Sequence, residues 1–197
     1  MKSLVLLVMS FMMISVHAES AWEKSKEKDG ITIWTRKKEG SSFKEYKGTV
    51  VLNTTMDKLL NIFKDIKYHD QIFYKCKAGS VKIVKKNSAN DFYTYMVIST
   101  PIVKDRDVVT HYEVKKLSNG GYIIELEGAP NLVPDKGLVR VPEMKGYWKF
   151  EPTTSGKILV THQAFSHPGG SVPAGLANSA STDAPFSMLE ELRDLVK

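Results

Sequence analysis

From Cys76 to Ser166 the chain reads as one short strand after another, each closed by turn-forming residues. Residues 80–86, 92–100, 108–117, 122–128, 137–141, 144–152 and 157–166 carry strand patterns, several of them alternating apolar and polar side chains. Asn87-Ser88, Ser118-Asn119-Gly120-Gly121 and Ser155-Gly156 separate some of them. Glycine and small polar side chains supply the backbone angles and local hydrogen bonds that tight reversals need. Strands joined this closely run antiparallel, because a parallel pair needs a long crossover. Residues 30–36 and 42–52 add two earlier strands, and Trp22 is expected to pack a short N-terminal helix onto the body. Asn53-Thr54-Thr55 supplies an N-cap for Met56, Leu59, Leu60 and Phe63, a helical pattern ending near Asp65, and a loop with Tyr68, His69, Phe73 and Tyr74 follows.

The strands stop at Pro168-Gly169-Gly170, where proline cannot donate to a ladder and glycine tolerates positive φ. Ser171 is placed to cap a helix with Pro173 in its first turn. Leu176, Ala177, Ala180, Ala184, Met188, Leu189, Leu192 and Val196 recur mostly every three or four residues and share one face. Pro185 is expected to kink or split that face. A long amphipathic helix on a two-glycine hinge reads as a lid over an antiparallel sheet, an α+β architecture.

The first eighteen residues hold one cation, Lys2, an apolar run from Leu4 to Val16, and the small-residue site Val16-His17-Ala18. Residues 1–18 are read as a secretory signal peptide, because the run falls short of the ~20 residues a membrane span needs. Residues 19–197 form a single domain, exported and expected to be periplasmic and monomeric. Removing Lys2 lowers the formal net charge from +6 to +5. The cations at Lys24, Lys26 and Lys28, at residues 36–38, and at Lys82, Lys85 and Lys86 suit transient contact with an anionic membrane surface. No nucleic-acid motif accompanies the charge, and none is expected as a partner. Cys76 is the only cysteine, so no intrachain disulfide forms and stability rests on packing.

The sheet is rich in aromatic residues. Tyr93, Tyr95 and Val97 share one face of their strand, and Phe92, Met96 and Ile98 the other; Val108, Thr110 and Tyr112 share a face, as do Tyr122, Ile124 and Leu126. One set of each pair turns inward, and such mixed linings suit a pocket.

Five segments together resemble the START family, named for steroidogenic acute regulatory protein related lipid transfer. They are residues 101–108 (PIVKDRDV), 136–141 (KGLVRV), 146–152 (GYWKFEP), 168–173 (PGGSVP) with Asn178 and Pro185, and 189–193 (LEELR). The resemblance implies a helix-grip fold, a curved antiparallel sheet wrapped around the C-terminal helix with an internal hydrophobic tunnel. It implies binding and transfer of a lipid or other hydrophobic ligand, without a cofactor. Pro101, Ile102, Val103 and Lys104 would form the loop at the tunnel mouth, with Gly169 and Gly170 as the hinge of the gate. Lys104 would meet lipid phosphate. Arg106 and Asp107 would fix the base of that loop as an ion pair or cap. Sterol-binding members place an acidic residue and an arginine opposite each other; the matching positions here are Tyr93 and Tyr112, which are uncharged at neutral pH. Tyr93, Tyr95, Tyr112, Tyr122, Asn178 and Thr182 are the candidates for lining the tunnel or reading the polar end of the ligand, with Leu176, Ala180 and Phe186 on the lid.

Two other readings compete with a transfer protein: a hydrolase or cyclase of the wider helix-grip superfamily, and a lipid-gated interaction module. His111 and His162 sit on strands without a nucleophile or carboxylate in a known spacing. No HExxH, Gly-x-Ser-x-Gly or P-loop occurs, so neither catalytic nor metal-binding residues are assigned.

Overall fold

A computed structural model describes residues 20–100 and 103–197. The expected signal peptide and the loop residues Pro101 and Ile102 lie outside the described residues. The strands are β1 (Glu23–Lys28), β2 (Ile31–Lys37), β3 (Lys44–Leu52), β4 (Lys82–Ser88), β5 (Asp91–Thr100), β6 (Val103–Lys116), β7 (Tyr122–Gly128), β8 (Val139–Arg140), β9 (Glu143–Pro152) and β10 (Ile158–His167). They form one curved sheet of ten strands, in the order β1-β2-β3-β10-β9-β7-β6-β5-β4, with β8 parallel to β6. All other pairings are antiparallel and the sheet does not close. The helices are α1 (Met56–Lys64), the short α2 (His69–Ile72) and the long C-terminal α3 (Ala174–Leu195). This is the expected α+β helix-grip fold.

Several local expectations are corrected. The segment after Trp22 is a strand. Lys28 and Ile31 pair across Asp29-Gly30, whose φ angles of 51° and 76° make the two-residue reversal that matches strand twist. Trp22 itself lies under the Arg36 guanidinium at 4.5 Å and the Lys47 ammonium at 5.0 Å. The strand expected over 137–141 shrinks to Val139–Arg140, and β6 starts at Val103, so Val103 and Lys104 belong to a strand. Helix α3 is one continuous helix through Pro185, and its N-cap is Pro173 with no side-chain cap from Ser171. The cap of α1 is as expected: Thr55 Oγ1 accepts from the Lys58 N–H at 3.2 Å.

The core is solid at one end. Leu189 and Leu192 of α3 are fully buried with Leu59 and Phe63 of α1, Ile31 and Ile33 of β2, and Trp148 and Phe150 of β9. Each such side chain contributes roughly 1.5–3 kcal/mol by leaving water. Gly48 permits the close approach of α3 to β3: a Cβ there would sit 2.7 Å from Leu189 Cδ1 and 2.8 Å from Ile33 Cδ1. The C-terminal half of α3 is therefore anchored, and what its N-terminal half covers decides the function.

Candidate functional site

The N-terminal half of α3 turns small side chains toward the sheet. Ala177, Ala180, Ser181 and Ala184, with Leu176 and Met188, leave space where Phe186, Leu189 and Leu192 fill it further along the helix. That space is a cavity of about 340 Å³, within the roughly 300–1,000 Å³ of small-molecule sites. Its sheet wall comes from the inward phase of each strand: Met96 and Ile98 of β5, Val108, Thr110 and Tyr112 of β6, Leu126 of β7, Met144 of β9, and His162 and Ala164 of β10. Phe73, Tyr74 and Lys75 after α2, and Phe43 and Lys44 at the start of β3, complete it. The lining is mainly aliphatic and aromatic.

Its polar groups are few. Tyr112 is 1% exposed, and burial raises its phenol far above the ordinary range. His162 is 2% exposed and stacks on Trp148, with ring centroids 3.8 Å apart. Its Nδ1 lies 3.1 Å from the Tyr147 carbonyl and its Nε2 lies 2.8 Å from the Tyr46 hydroxyl. A carbonyl only accepts, so Nδ1–H donates to it, and in the neutral ring Nε2 then accepts from the tyrosine. Burial accordingly lowers its pKa to about 4, with the Tyr147 carbonyl opposing. Arg106 is 7% exposed and faces the same space.

No family model matches the sequence. An uncharacterized protein of Pseudomonas aeruginosa is 34% identical over 174 residues, covering 87% of this chain and 85% of its own length. The phosphatidylcholine transfer protein of Rattus norvegicus is 25% identical over 178 residues, covering 87% of this chain and 81% of its own. The crystal structure of a STAR-related lipid transfer protein from Xanthomonas axonopodis matches at a TM-score of 0.81 and 30% identity, covering 89% of this chain and 98% of that one. The chain belongs to the START family.

Within this START domain the strand phases decide which expected residues meet. Leu176, Ala180, Tyr112 and Val103 line the cavity. Tyr93 and Tyr95 do not, and the register shows why: opposite residues of an antiparallel pair share a face, and Tyr112 lies opposite Phe92 while Tyr93 lies opposite His111. The two family-matched tyrosines therefore point to different sides. Tyr93 stacks on His111 at 4.3 Å on the outer face, and His111 Nε2 is 2.8 Å from the Asp91 carboxylate. Tyr95 lies near Asp107 and Arg140; burial and the Asp107 charge raise its phenol pKa. Tyr122 packs against the solid end of the core. Phe186 is buried there too, beneath the Lys26 ammonium at 3.8 Å, and Thr182 is outside the lining.

Asn178 is a fastener. Its Oδ1 accepts from the Lys44 N–H at 2.9 Å and its Nδ2 donates to the Ser42 carbonyl at 3.2 Å, tying α3 to the start of β3. The expected Arg106–Asp107 pair is not formed, because neighbours on a strand point to opposite faces. Asp107 instead takes a two-pronged contact from Arg140, at 2.7 Å from Nε and 2.9 Å from Nη2. Arg140 also donates to the carbonyls of Pro130, Val133 and Pro134, so the pair holds the 129–138 loop to the sheet. Lys104 and Gly170 border a neighbouring recess shared with Arg106. Gly169 and Gly170 have φ of 68° and 55°, as a glycine break requires.

Sequence reasoning missed Tyr46, Met96, Ile98, Met144 and Arg106 as lining residues. The phase of β10 would have indicated His162, which shares its face with the fully buried Val160. Among the described residues no three His, Cys, Asp or Glu side chains gather as a metal site, and no helix is long and apolar enough to cross a membrane.

Proposed function

We propose that this protein binds one lipid or other hydrophobic molecule in the cavity beneath α3 and transfers it between membranes, with the N-terminal half of α3 as the gate. The observation that carries the reading is the mainly apolar cavity of about 340 Å³ between a helix face of small residues and the sheet. Burial supplies the affinity, at about 0.8 kcal/mol per methylene. The division of α3 supports the gate: its distal half is anchored in packed core, while its proximal half follows two glycines in the left-handed region and is fastened by Asn178 and Ser181. Hydrogen bonds to solvent replace such fasteners at small cost. The names of the rat and Xanthomonas relatives agree with a lipid cargo.

Binding is preferred to catalysis because the titratable pair on the wall is already committed. Tyr46 donates to His162 and His162 donates to Tyr147, which leaves neither free as a base. Export through residues 1–18, a periplasmic location, monomeric action and transient docking of the basic surface to an anionic membrane complete the proposal. Purification from the host compartment under gentle conditions, followed by native mass spectrometry, is expected to show one retained lipid per chain. Protein that is empty after purification and takes up nothing from vesicles would refute the reading.

A further inference from the structure

We propose that the head of the cavity's ligand is an oxyanion, a phosphate or carboxylate on an aliphatic chain, and that it seats on the guanidinium of Arg106. This rests on the reading of the cavity as a lipid site and adds the chemical class of the lipid.

The sign of charge on the wall is one-sided. Lys44, Lys75 and Arg106 line the cavity, and among the described residues no aspartate or glutamate does. Lys75 is exposed and Lys44 half-buried, so the two lysines remain hydrated. Arg106 differs, being 93% out of solvent by its 7% exposure. A guanidinium carries five N–H donors. Arg106 donates a single hydrogen bond, from Nη1 to the Lys104 carbonyl, and among the described residues it has no carboxylate within ion-pair distance. Arg36, Arg140 and Arg193 each face a carboxylate. A buried charge without a counter-ion is costly, and the cost persists in a fold only where something offsets it.

The obvious counter-ion for Arg106 is its neighbour in sequence, yet Asp107 is turned to the other face and consumed by Arg140. Arg106 lines both the cavity and the neighbouring recess, and beside it the cavity wall is apolar: Ile98, Val103, Val108 and Val141. An alkyl chain with an anionic head satisfies both features at once, since the planar fork of arginine matches carboxylate and phosphate oxygens in pairs. A neutral sterol or alcohol leaves the guanidinium uncompensated.

The test uses the full-length mature protein freed of lipid, titrated by calorimetry with dodecanoate, dodecyl phosphate and dodecan-1-ol below their aggregation limits. The wild type is expected to bind at least one of the two anions tenfold or more tighter than the alcohol; which anion wins separates a fatty acid from a phosphoester source. Arg106→Gln is expected to bring that anion down to the affinity of the alcohol. Arg106→Lys is expected to keep part of the preference. Because removing Arg106 also removes an uncompensated charge, empty Arg106→Met is expected to melt no lower than the wild type. Equal binding of anion and alcohol by the wild type overturns the proposal whether or not any variant folds, as does a preference that survives in Arg106→Gln. Binding of the alcohol alone overturns the anionic head but preserves the lipid site. Failure of all three probes overturns both.

Discussion

Acid should loosen this protein through His162, and the size of the effect follows from its surroundings. The ring is buried against Trp148, holds its one proton on the Tyr147 carbonyl and accepts from Tyr46, so its folded pKa is about 4 against an ordinary 6.5. Above pH 6.5 both folded and unfolded chains carry a neutral ring, and the stability is fully present. Between pH 6.5 and 4 the unfolded chain takes up a proton that the folded one refuses, and stability falls by about 1.4 kcal/mol per pH unit. The loss totals about 3 kcal/mol and levels off below pH 4. Burial lowers the pKa of His69 as well, so it adds to the slope in the same direction. The variant His162→Gln keeps a donor and an acceptor but cannot titrate. Urea unfolding midpoints at several values between pH 7 and 4 are expected to fall less steeply for the variant, by about 3 kcal/mol over the window, whatever its stability at pH 7. Parallel slopes for the two proteins would refute the assignment of His162 as a neutral buried ring.

Other perturbations separate anchor, wall and surface. Gly48→Val drives a side chain into Leu189 and Ile33, and should cost about 1–3 kcal/mol in urea unfolding. Asp107→Ala leaves Arg140 with only its carbonyl acceptors in the 129–138 loop; about 1–3 kcal/mol of stability should be lost, and a double-mutant cycle with Arg140→Ala should show coupling. Ala180→Trp fills the cavity from the helix side and should weaken lipid uptake from vesicles by about tenfold or more, or roughly 1.4 kcal/mol, while the fold is retained. Tyr93→Phe, on the outer face, should leave lipid uptake unchanged.

The antiparallel sheet was legible because turn residues punctuate strands whose inner faces alternate, as in Ile31-Thr32-Ile33 and Val50-Val51-Leu52. The closing helix was legible for the same kind of reason: its apolar residues recur at helical spacing. The phase of each strand was harder. Strand β5 carries large apolar side chains on both faces, Phe92 and Met96 inward and Tyr93 and Tyr95 outward, and only its pairing with β6 selects between them. Charged residues misled in a similar way. Arg106 and Asp107 are adjacent and opposite in sign, which invites a pair, but strand geometry sends one to the cavity and the other to Arg140, 33 positions away. The strand β1 was missed because Glu23–Lys28 has the composition of a solvated segment; the Asp29-Gly30 turn was its signal.

A photoactivatable fatty-acyl lipid, loaded into the protein and cross-linked by light, tests the central claim most directly. Peptide mapping is expected to place the label on the 174–188 segment of α3 and on inward residues of β5 and β6, among them Met96, Val108 and Tyr112. Label confined to the outer face around Tyr93, Tyr95 and His111, or no saturable label at all, would contradict a lipid site beneath the helix.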